Sequence, residues 1–338
     1  MVILNREFEG EKEGVLFRRV PLPHDRLGRM TAASQRFWRA AREIDAHLYQ
    51  IHDPELLWAG KRLAGEGKQV VYDVHEDLPR QIMGKEWIPR ILRPGAARMA
   101  GWEEQRLTRS FRCCLGATPE IAARFPQGEV FRNFPLPEQF PPGEELSRRP
   151  RQAAYLGSVT ESRGLFEMLE AAKEARIPLV MAGRIESDTL LARAKAHPGW
   201  QWVRWLGQRD REELPGILAQ CRMGLLLLRE TDAYRRSMPI KLFEYLMAGM
   251  PVVASDFPFW QRLTGGKGCL FVPPGSPGQA ARAMARLAED PCLAQRLGEE
   301  GRQLALERFN GRREQQKLLS LWDRLAGDSP AEERKVQE

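Results

Sequence analysis

Long apolar runs are absent from this chain of 338 residues. No segment approaches the roughly 20 consecutive apolar residues that a transmembrane helix requires. The first ten residues also lack the basic start, the apolar middle and the small-residue cleavage site of a secretory signal. We therefore expect a cytoplasmic protein.

Cysteine is scarce, and the five cysteines form no CxxC pair: Cys113, Cys114, Cys221, Cys269 and Cys292. This argues against a zinc ribbon and against a disulfide framework. The chain also contains no GxGxxG turn, no GxxxxGK[ST] loop and no HExxH motif, which disfavours dehydrogenases, P-loop nucleotidases and zinc peptidases. No D-x-D motif follows a strand either, so the sequence predicts neither a metal nor a cofactor.

Acidic residues are fewer than basic ones, 45 against 52, which gives a formal net charge of +7. A positive surface favours anionic partners. Residues 80–112 mix basic and apolar side chains, as a peripheral contact with an anionic membrane would. The basic residues there are Arg80, Lys85, Arg90, Arg93, Arg98, Arg106, Arg109 and Arg112. An ordinary helix pair with solvated arginines fits the same pattern, and both readings stay open.

Short apolar runs alternate with helical segments from about Leu56, a pattern typical of parallel sheets covered by helices. The first half predicts strands at 46–51, 69–74 and 112–115 and helices at 31–43, 55–66 and 98–109. The second half predicts helices at 165–175, 187–196, 211–220, 240–247 and 277–288, with strands between them. A prolyl, charged stretch at 135–152 interrupts the alternation and is the best linker candidate. We expect two doubly wound α/β domains, with sites at the carboxyl ends of their strands.

The segment SMPIKLFEYLMAGMPVVAS, residues 237–255, is predicted to be a loop, a helix and a strand in succession. Ser237 is expected to cap the helix, and Pro239 to occupy its first turn. The amides at that helix start, with Lys241 beside them, favour a nucleotide diphosphate. Glu244 lies one turn further on, where its carboxylate can accept hydrogen bonds from two ribose hydroxyls.

The segment KLFEYLMAGMPVVAS resembles the donor-binding block of family-four retaining glycosyltransferases, in the P-x-K-L-F-E-Y subgroup of bacterial surface-polysaccharide synthesis. The segments YLGSVTESRGLFEMLEAA, VMAGR and VRWLGQRDREELPGILAQCRMGLLLL resemble the neighbouring strands and loops of the same domain. The resemblance implies a GT-B fold, with two Rossmann-like domains that face a central cleft. It also implies metal-independent transfer of a sugar from a nucleotide-sugar donor, with retention of configuration.

In that family an arginine and a lysine flank the first donor-domain loop and hold the diphosphate. The matching positions here are Ser158 and Arg163, followed by Gly164. Because Ser158 removes one cation, we expect Lys241 or Arg184 to supply the missing charge.

The resemblance also concerns the base and the donor sugar. It predicts the nucleoside base near Gln208 and Arg209. The family often has a glutamate eight positions before Glu244 that contacts the donor sugar, and this chain has Arg236 there. We interpret Arg236 as a subfamily variation, with loss of activity as the alternative.

Two histidines of the first half each follow an apolar strand, His52 in YQIHDP and His75 in VVYDVHEDLP. His75 resembles the acceptor-domain histidine of the family, which lies beside the transferred sugar, and it is the predicted catalytic residue. His52 and Asp53 are candidates for acceptor or sugar contacts. The alternative for a histidine at a strand end is structural capping, and the remaining acidic residues fit loop or helix-cap charges.

The expected domains are an acceptor domain at 1–148 and a donor domain at 150–304. A helix at 305–325 is expected to cross back onto the first domain, and a charged tail follows at 326–338. Residues 2–23 resemble the segment that follows the first strand of the family, which predicts a first domain without that strand.

The expected function is glycosyl transfer onto a glycan or lipid-linked acceptor of lipopolysaccharide or capsule, with a peripheral location on the inner membrane face. A catalytically silent GT-B-shaped subunit and a nucleotide-sugar epimerase are the alternatives. Release of nucleotide diphosphate without an acceptor would separate an active transferase from a silent subunit. A nucleic-acid partner is not expected.

Overall fold

The computed structural model describes residues 1–5, 8–12, 14–21, 26–75, 77–85, 88–141 and 143–327. The chain divides into two compact units, Met1–Arg132 with Glu314–Glu338, and Asn133–Arg313. Each unit is built on a parallel sheet, so the predicted α/β class is confirmed. Within the described part of the chain, no helix has the length and apolar character to cross a membrane.

The described residues of the first unit form two sheets. A small sheet has the order β1-β3-β2, formed by β1 (Val2–Asn5), β2 (Gly10–Lys12) and β3 (Val15–Arg19). The main sheet is parallel in the order β4-β5-β6-β7, formed by β4 (Leu48–Ile51), β5 (Gln69–Val74), β6 (Cys113–Gly116) and β7 (Gly128–Val130). Its helices are α1 (Arg26–Ile44), α2 (Leu57–Gly65), α3 (Leu78–Met83), α4 (Arg93–Thr108) and α5 (Pro119–Ala122).

The inner strand β5 of this sheet shows why a strand of this half can be predicted from the sequence. β5 is a nearly continuous apolar run in which Val70 and Val71 are fully buried. A strand of a parallel sheet is covered on both faces, so its residues do not alternate between apolar and polar. A polar side chain in this strand, such as Asp73, therefore requires partners.

The second unit contains one six-stranded parallel sheet in the order β10-β9-β8-β11-β12-β13. Its strands are β8 (Ala153–Leu156), β9 (Leu179–Ala182), β10 (Val203–Trp205), β11 (Met223–Leu226), β12 (Val252–Ser255) and β13 (Cys269–Val272). Its helices are α6 (Leu165–Ala175), α7 (Asp188–Ala196), α8 (Leu214–Ala219), α9 (Asp232–Arg235), α10 (Ile240–Met247), α11 (Pro258–Thr264), α12 (Pro277–Glu289) and α13 (Pro291–Arg308). In this doubly wound order the direction of winding reverses between β8 and β11, which is where such sheets bind ligands.

The prolyl stretch at 135–152 lies within the second unit and is not a free linker. The two units divide at Arg132, before this stretch begins. Phe140 and Leu146 are buried in the apolar clusters of the second unit. Arg149 is also buried and donates from Nε to the carbonyl of Glu144, 2.8 Å away. The apolar residues between the prolines hold the segment against the unit.

The predicted single helix at 305–325 is wrong, because two helices share this region. α13 ends at Arg308, and α14 (Gly311–Gly327) begins after a short break. Phe309 is buried against Phe134 and Phe243, and the Asn310 side chain accepts a hydrogen bond from the Arg312 amide at 3.0 Å. These contacts fix the break.

The second helix of this pair returns to the first unit. Leu321 and Leu325 of α14 are buried with Val71, Cys113 and Leu115 of the main sheet. The helix therefore completes the core of the unit that contains the N-terminus, whereas α13 belongs to the second unit.

Candidate functional site

Two glycines shape the carboxyl edge of the second sheet. Gly157 follows β8 with φ +132°, and Gly183 follows β9 with φ +148°, a region that side chains with a Cβ rarely adopt. The Gly157 amide donates to the carbonyl of Ala182 at 2.8 Å, and a Cβ on Gly183 would overlap the Gly157 carbonyl. Only glycine lets the two strand ends approach so closely.

The loop after β8 ends at a third glycine. Gly164 has φ +81° and precedes α6, and a Cβ there would overlap the carbonyl oxygen of Leu227. The loop is also fixed from within, since the Arg163 amide donates to Oγ1 of Thr160 at 3.2 Å. The turn thus holds the residue before α6 against the end of β11, at the point where the sheet changes winding direction.

Two cationic side chains converge on the backbone of Gly157. From the position that a Cβ would occupy on Gly157, Lys241 Cε is 3.4 Å away and Arg163 Nη1 is 3.9 Å away. Nη1 of Arg163 also donates to the Ser158 carbonyl at 3.4 Å. The two cations and the glycine loop form a positively charged site, called the donor pocket below, which suits a phosphate group.

Two tyrosine hydroxyls affect the charge of Arg163. Burial disfavours its charge, but hydrogen bonds with Tyr234 and Tyr155 outweigh burial and hold the pKa of Arg163 above its usual value. Burial also raises the pKa of Tyr155 to about 12, so this phenol stays protonated. Arg163 therefore remains a fixed cation at any physiological pH.

Lys241 and Glu244 form an ion pair on α10. Lys241 Nζ lies 2.8 Å from Glu244 Oε2, and the two residues are three positions apart on the helix. The Glu244 side chain is 2% exposed, whereas the Lys241 side chain is 29% exposed. A buried carboxylate needs such a partner, and the ammonium still reaches the pocket.

The capping prediction for Ser237 is wrong. α10 begins at Ile240, and Pro239 occupies the N-cap position without a side-chain cap. The Ser237 hydroxyl donates instead to the Tyr234 carbonyl at 3.1 Å, and the Ser237 carbonyl accepts from Trp260 Nε1 at 2.9 Å. Ser237 therefore shapes the loop before the helix and leaves the first amides of α10 to other acceptors.

The other predicted donor residues lie around the same sheet edge. Arg184 is exposed directly after Gly183, and Arg236 is exposed at the end of α9. Gln208 and Arg209 are exposed after β10, where Arg209 Nε donates to the Leu206 carbonyl at 3.0 Å. All four side chains are therefore accessible from solvent.

Several residues that order the pocket were missed by sequence reasoning. Ser162 Oγ lies 3.0 Å from Thr160 Oγ1 and 3.2 Å from the Tyr234 hydroxyl. The Tyr245 hydroxyl accepts from the Leu156 amide at 2.9 Å and ties α10 to β8. No motif identifies them, because hydroxyl residues in loops are common, although Tyr245 lies within the FEY segment.

The first unit brings three metal-ligating side chains together at its own sheet edge. His52 follows β4 and His75 follows β5, and Asp73 belongs to β5. His52 Nδ1 lies 3.1 Å from His75 Nε2 and 3.2 Å from Asp73 Oδ2, and His75 Nε2 lies 3.9 Å from the same Oδ2. The sequence predicts both histidines at strand ends, and the structure adds their contact with each other.

The neighbours of this cluster differ in role. Gln50 Nε2 donates to Asp73 Oδ2 at 3.2 Å, and Gln50 Oε1 accepts from Trp322 Nε1 at 3.1 Å. Asp77 caps α3 by accepting from the Arg80 amide at 3.3 Å, as expected for a helix-cap charge. Asp53 is exposed before a short 3₁₀ turn, Pro54–Leu56, which its side chain does not cap.

Both halves of the chain match known families of glycosyltransferase domains. Residues 4–136 match the glycosyl transferase 4-like domain, and residues 138–304 match the family described as glycosyl transferases group 1. This chain is a glycosyltransferase. No curated protein matches it significantly.

Solved structures similar to this glycosyltransferase support its GT-B fold. Sucrose-phosphate synthase from Thermosynechococcus elongatus shares 18% identity, with a TM-score of 0.72 over 97% of this chain and 89% of that chain. Anabaena HepE, solved with UDP and glucose, shares 14% identity, with a TM-score of 0.68 over 92% and 86%. A glycosyltransferase from Rickettsia africae shares 11%, with a TM-score of 0.64 over 93% and 86%. The predicted fold class is thus confirmed.

Proposed function

We propose that this glycosyltransferase moves a sugar from a nucleoside-diphosphate sugar onto a glycan or lipid-linked acceptor of a cell-surface polysaccharide, with retention of configuration and without a metal ion. The observation that carries the donor class is the convergence of Arg163 and Lys241 over Gly157. The two cations, the loop amides and the start of α10 together neutralise a diphosphate leaving group.

The donor side follows from the pocket. The leaving diphosphate lies on Arg163, Gly164 and Lys241, with Arg184 as an outer cation. Glu244 binds the ribose hydroxyls, and this frees the Lys241 ammonium to turn from the carboxylate toward the phosphates. HepE was solved with UDP and with UDP-glucose, so UDP is the first nucleotide to test.

The acceptor side follows from the histidines. His75 contacts the transferred sugar and stabilises the developing charge, with His52 and Asp53 as further sugar or acceptor contacts. Arg236 replaces the glutamate expected before Glu244, and its guanidinium is a donor where that glutamate is an acceptor. A donor sugar with an anionic or strongly accepting substituent therefore suits this chain.

An exposed apolar surface of the first unit supports the proposal of a lipid-linked acceptor. Its apolar members are Ile91, Leu92, Met99 and Trp102, with exposed fractions of 88%, 59%, 69% and 60%. Met99 and Trp102 lie three positions apart on α4 and share a face. Arg90 and Arg98 are exposed beside them. Residues 86 and 87 of the predicted region lie outside the described residues.

This combination suits insertion into an anionic lipid surface. Contiguous exposed apolar patches mark surfaces that contact a protein partner or a membrane. Arginines beside them add electrostatic attraction to anionic head groups, about 1 kcal/mol for each near the surface. The glycosyltransferase would thus dock through Ile91–Trp102 while its acceptor stays in the bilayer.

The donor proposal is tested by thermal shift with UDP, GDP, ADP, TDP and CMP. One nucleotide should raise the melting temperature of the wild type by mass action. Lys241→Met should abolish most of that shift, and Arg313→Met, an exposed cation of the same unit, should keep it. A folded protein whose melting temperature responds to no nucleotide would favour the silent subunit. Release of the nucleotide together with an epimerised sugar, in the absence of an acceptor, would favour the epimerase.

The membrane proposal is tested by co-sedimentation with vesicles that contain about 30% anionic lipid. The wild type should pellet with these vesicles and much less with neutral ones. The double variant Ile91→Glu/Trp102→Glu should stay in solution, and Leu319→Glu, which changes an exposed leucine on α14, should pellet as the wild type does. Equal pelleting of both variants would refute the proposed surface.

A further inference from the structure

We propose that His52, Asp73 and His75 form a binding site for a divalent transition-metal ion, with zinc as the best fit. The three side chains offer two imidazole nitrogens and one carboxylate oxygen within 4.8 Å of one another. This is the donor set of open zinc sites, in which three protein ligands leave a fourth position for water or substrate. The proposed donor site is built from residues of the other unit of the chain.

The register of two strands creates the cluster. β4 and β5 are parallel, with Ile51 paired to Tyr72, so the next residues along, His52 and Asp73, are neighbours. Side chains two positions apart on a strand share a face, which places His75 on the same side as Asp73. The backbone therefore brings the three ligands together before any metal binds.

The distances fit the size of a zinc ion. Bonds of about 2.0–2.1 Å from a tetrahedral zinc to its ligands place neighbouring ligand atoms about 3.3–3.4 Å apart. The three separations observed are 3.1, 3.2 and 3.9 Å. Rotation of two exposed imidazoles is enough to direct their lone pairs at one ion, because the side chains of His52 and His75 are 52% and 54% exposed.

A second layer of hydrogen bonds fixes the carboxylate. The Asp73 side chain is only 9% exposed and accepts from Gln50 Nε2 at 3.2 Å. Trp322 of α14 donates to the other end of the Gln50 amide at 3.1 Å, which determines which way that amide points. Metal-binding carboxylates in proteins are typically oriented by such partners. Burial on one side and exposure on the other give a site that is anchored and still open to solvent.

Metal binding would regulate the reaction. A zinc ion would occupy His75 Nε2, the nitrogen available to the transferred sugar, so zinc would inhibit transfer. This consequence rests on the proposed role of His75 in the proposed function. The binding site itself does not depend on that role, and the two are measured separately.

The test is direct metal binding to tag-free protein in a Cys292→Ser background, since Cys292 is the exposed cysteine. Co²⁺ titration followed by its visible absorption should show one site per chain, which Zn²⁺ displaces. His52→Ala, His75→Ala and Asp73→Asn should each weaken binding at least about tenfold. His197→Ala, a histidine of the other unit, should bind as the parent does. Melting temperatures show which variants are folded, and Asp73→Asn keeps the shape of the side chain.

The outcomes are distinct. Binding of no Co²⁺ or Zn²⁺ by the parent protein, or equal binding by the three ligand variants, overturns the site. Metal binding without any nucleotide-dependent thermal shift would support the site while removing the proposed function. A nucleotide-dependent thermal shift without metal binding would support the proposed function and overturn the metal site.

Discussion

The replacement Glu244→Gln tests the donor site most sharply, because it removes a single charge and keeps the shape of the side chain. The carboxylate is 2% exposed and lies 2.8 Å from the Lys241 ammonium. Loss of a hydrogen bond to a charged group costs about 1.5–3 kcal/mol of stability. The variant should therefore melt several degrees below the wild type even without nucleotide.

The same change should weaken nucleotide binding. Loss of a charged acceptor for the ribose hydroxyls corresponds to about ten- to hundredfold weaker binding, at 1.4 kcal/mol for each factor of ten. At a ligand concentration of about 1,000 Kd the wild type gains about 4.1 kcal/mol, and a hundredfold weaker variant gains about 1.4 kcal/mol. For a domain of this size, the thermal shift should fall from about 8–16 °C to about 3–6 °C.

Glu314→Gln is a matched control. Glu314 is also buried, and its carboxylate lies 2.6 Å from Lys317 Nζ, three positions along a helix of the other unit. It should lose comparable stability and keep the full nucleotide shift. Inorganic pyrophosphate adds a second control, since it has no ribose and should bind Glu244→Gln at least as well as the wild type.

Thermal shifts and isothermal titration calorimetry on the three proteins decide the question. The reasoning is refuted if Glu244→Gln keeps the wild-type affinity for the nucleotide. It is also refuted if its affinity for pyrophosphate falls by the same factor, because the carboxylate would then act on the phosphates through Lys241 alone.

Three further predictions concern the loop, its cation and a buried carboxyl. Gly183→Ala should lower the free energy of unfolding in urea by at least about 1–3 kcal/mol, because the backbone there is strained and the new Cβ would overlap Gly157. Gly216→Ala, where the new Cβ has open space, should be neutral or stabilising. Equal effects of the two changes would contradict this. Arg163→Ala should lower kcat/KM at least about 100-fold with the melting temperature nearly unchanged, and a loss below tenfold would remove Arg163 from the diphosphate site. Burial raises the pKa of Glu104, so its stabilising contribution is present below the unfolded pKa and is lost as pH rises through the folded value. Glu104→Gln should thus gain stability relative to the wild type in urea unfolding as the pH rises above 4.5, the ordinary pKa of this carboxyl, and a difference that does not change with pH would refute this.

Segments whose structure is decided locally were predicted well. β5 (Gln69–Val74), α6 (Leu165–Ala175) and α10 (Ile240–Met247) have the predicted boundaries. A short, nearly continuous buried apolar run specifies β5, and Gly164 and Gly249 with positive φ flank α6 and α10. Glycine and periodicity are properties of the sequence itself, so they can be read without the fold.

Segments whose structure is decided by distant contacts were predicted poorly. The break between α13 and α14 depends on Phe309 packing against Phe134 and Phe243. The Ser237 hydroxyl was expected to cap a helix, but the Tyr234 carbonyl competes for it. The prolyl segment looked like a linker because the burial of Phe140 depends on the second unit. In each case tertiary packing overrides a correct local propensity.

The two candidate sites differ in the same way. In the second unit the shape of the pocket depends on Gly157, Gly164 and Gly183, which have positive φ. This backbone conformation requires glycine whichever ligand the loops bind. In the first unit the metal-ligating cluster depends on strand register, because one residue of slip between β4 and β5 would move His52 away from Asp73 and onto the opposite face. Sequence spacing carries no record of that register. A donor pocket of this kind can therefore be recognised from a motif, whereas the cluster of His52, Asp73 and His75 becomes visible only when the sheet is assembled.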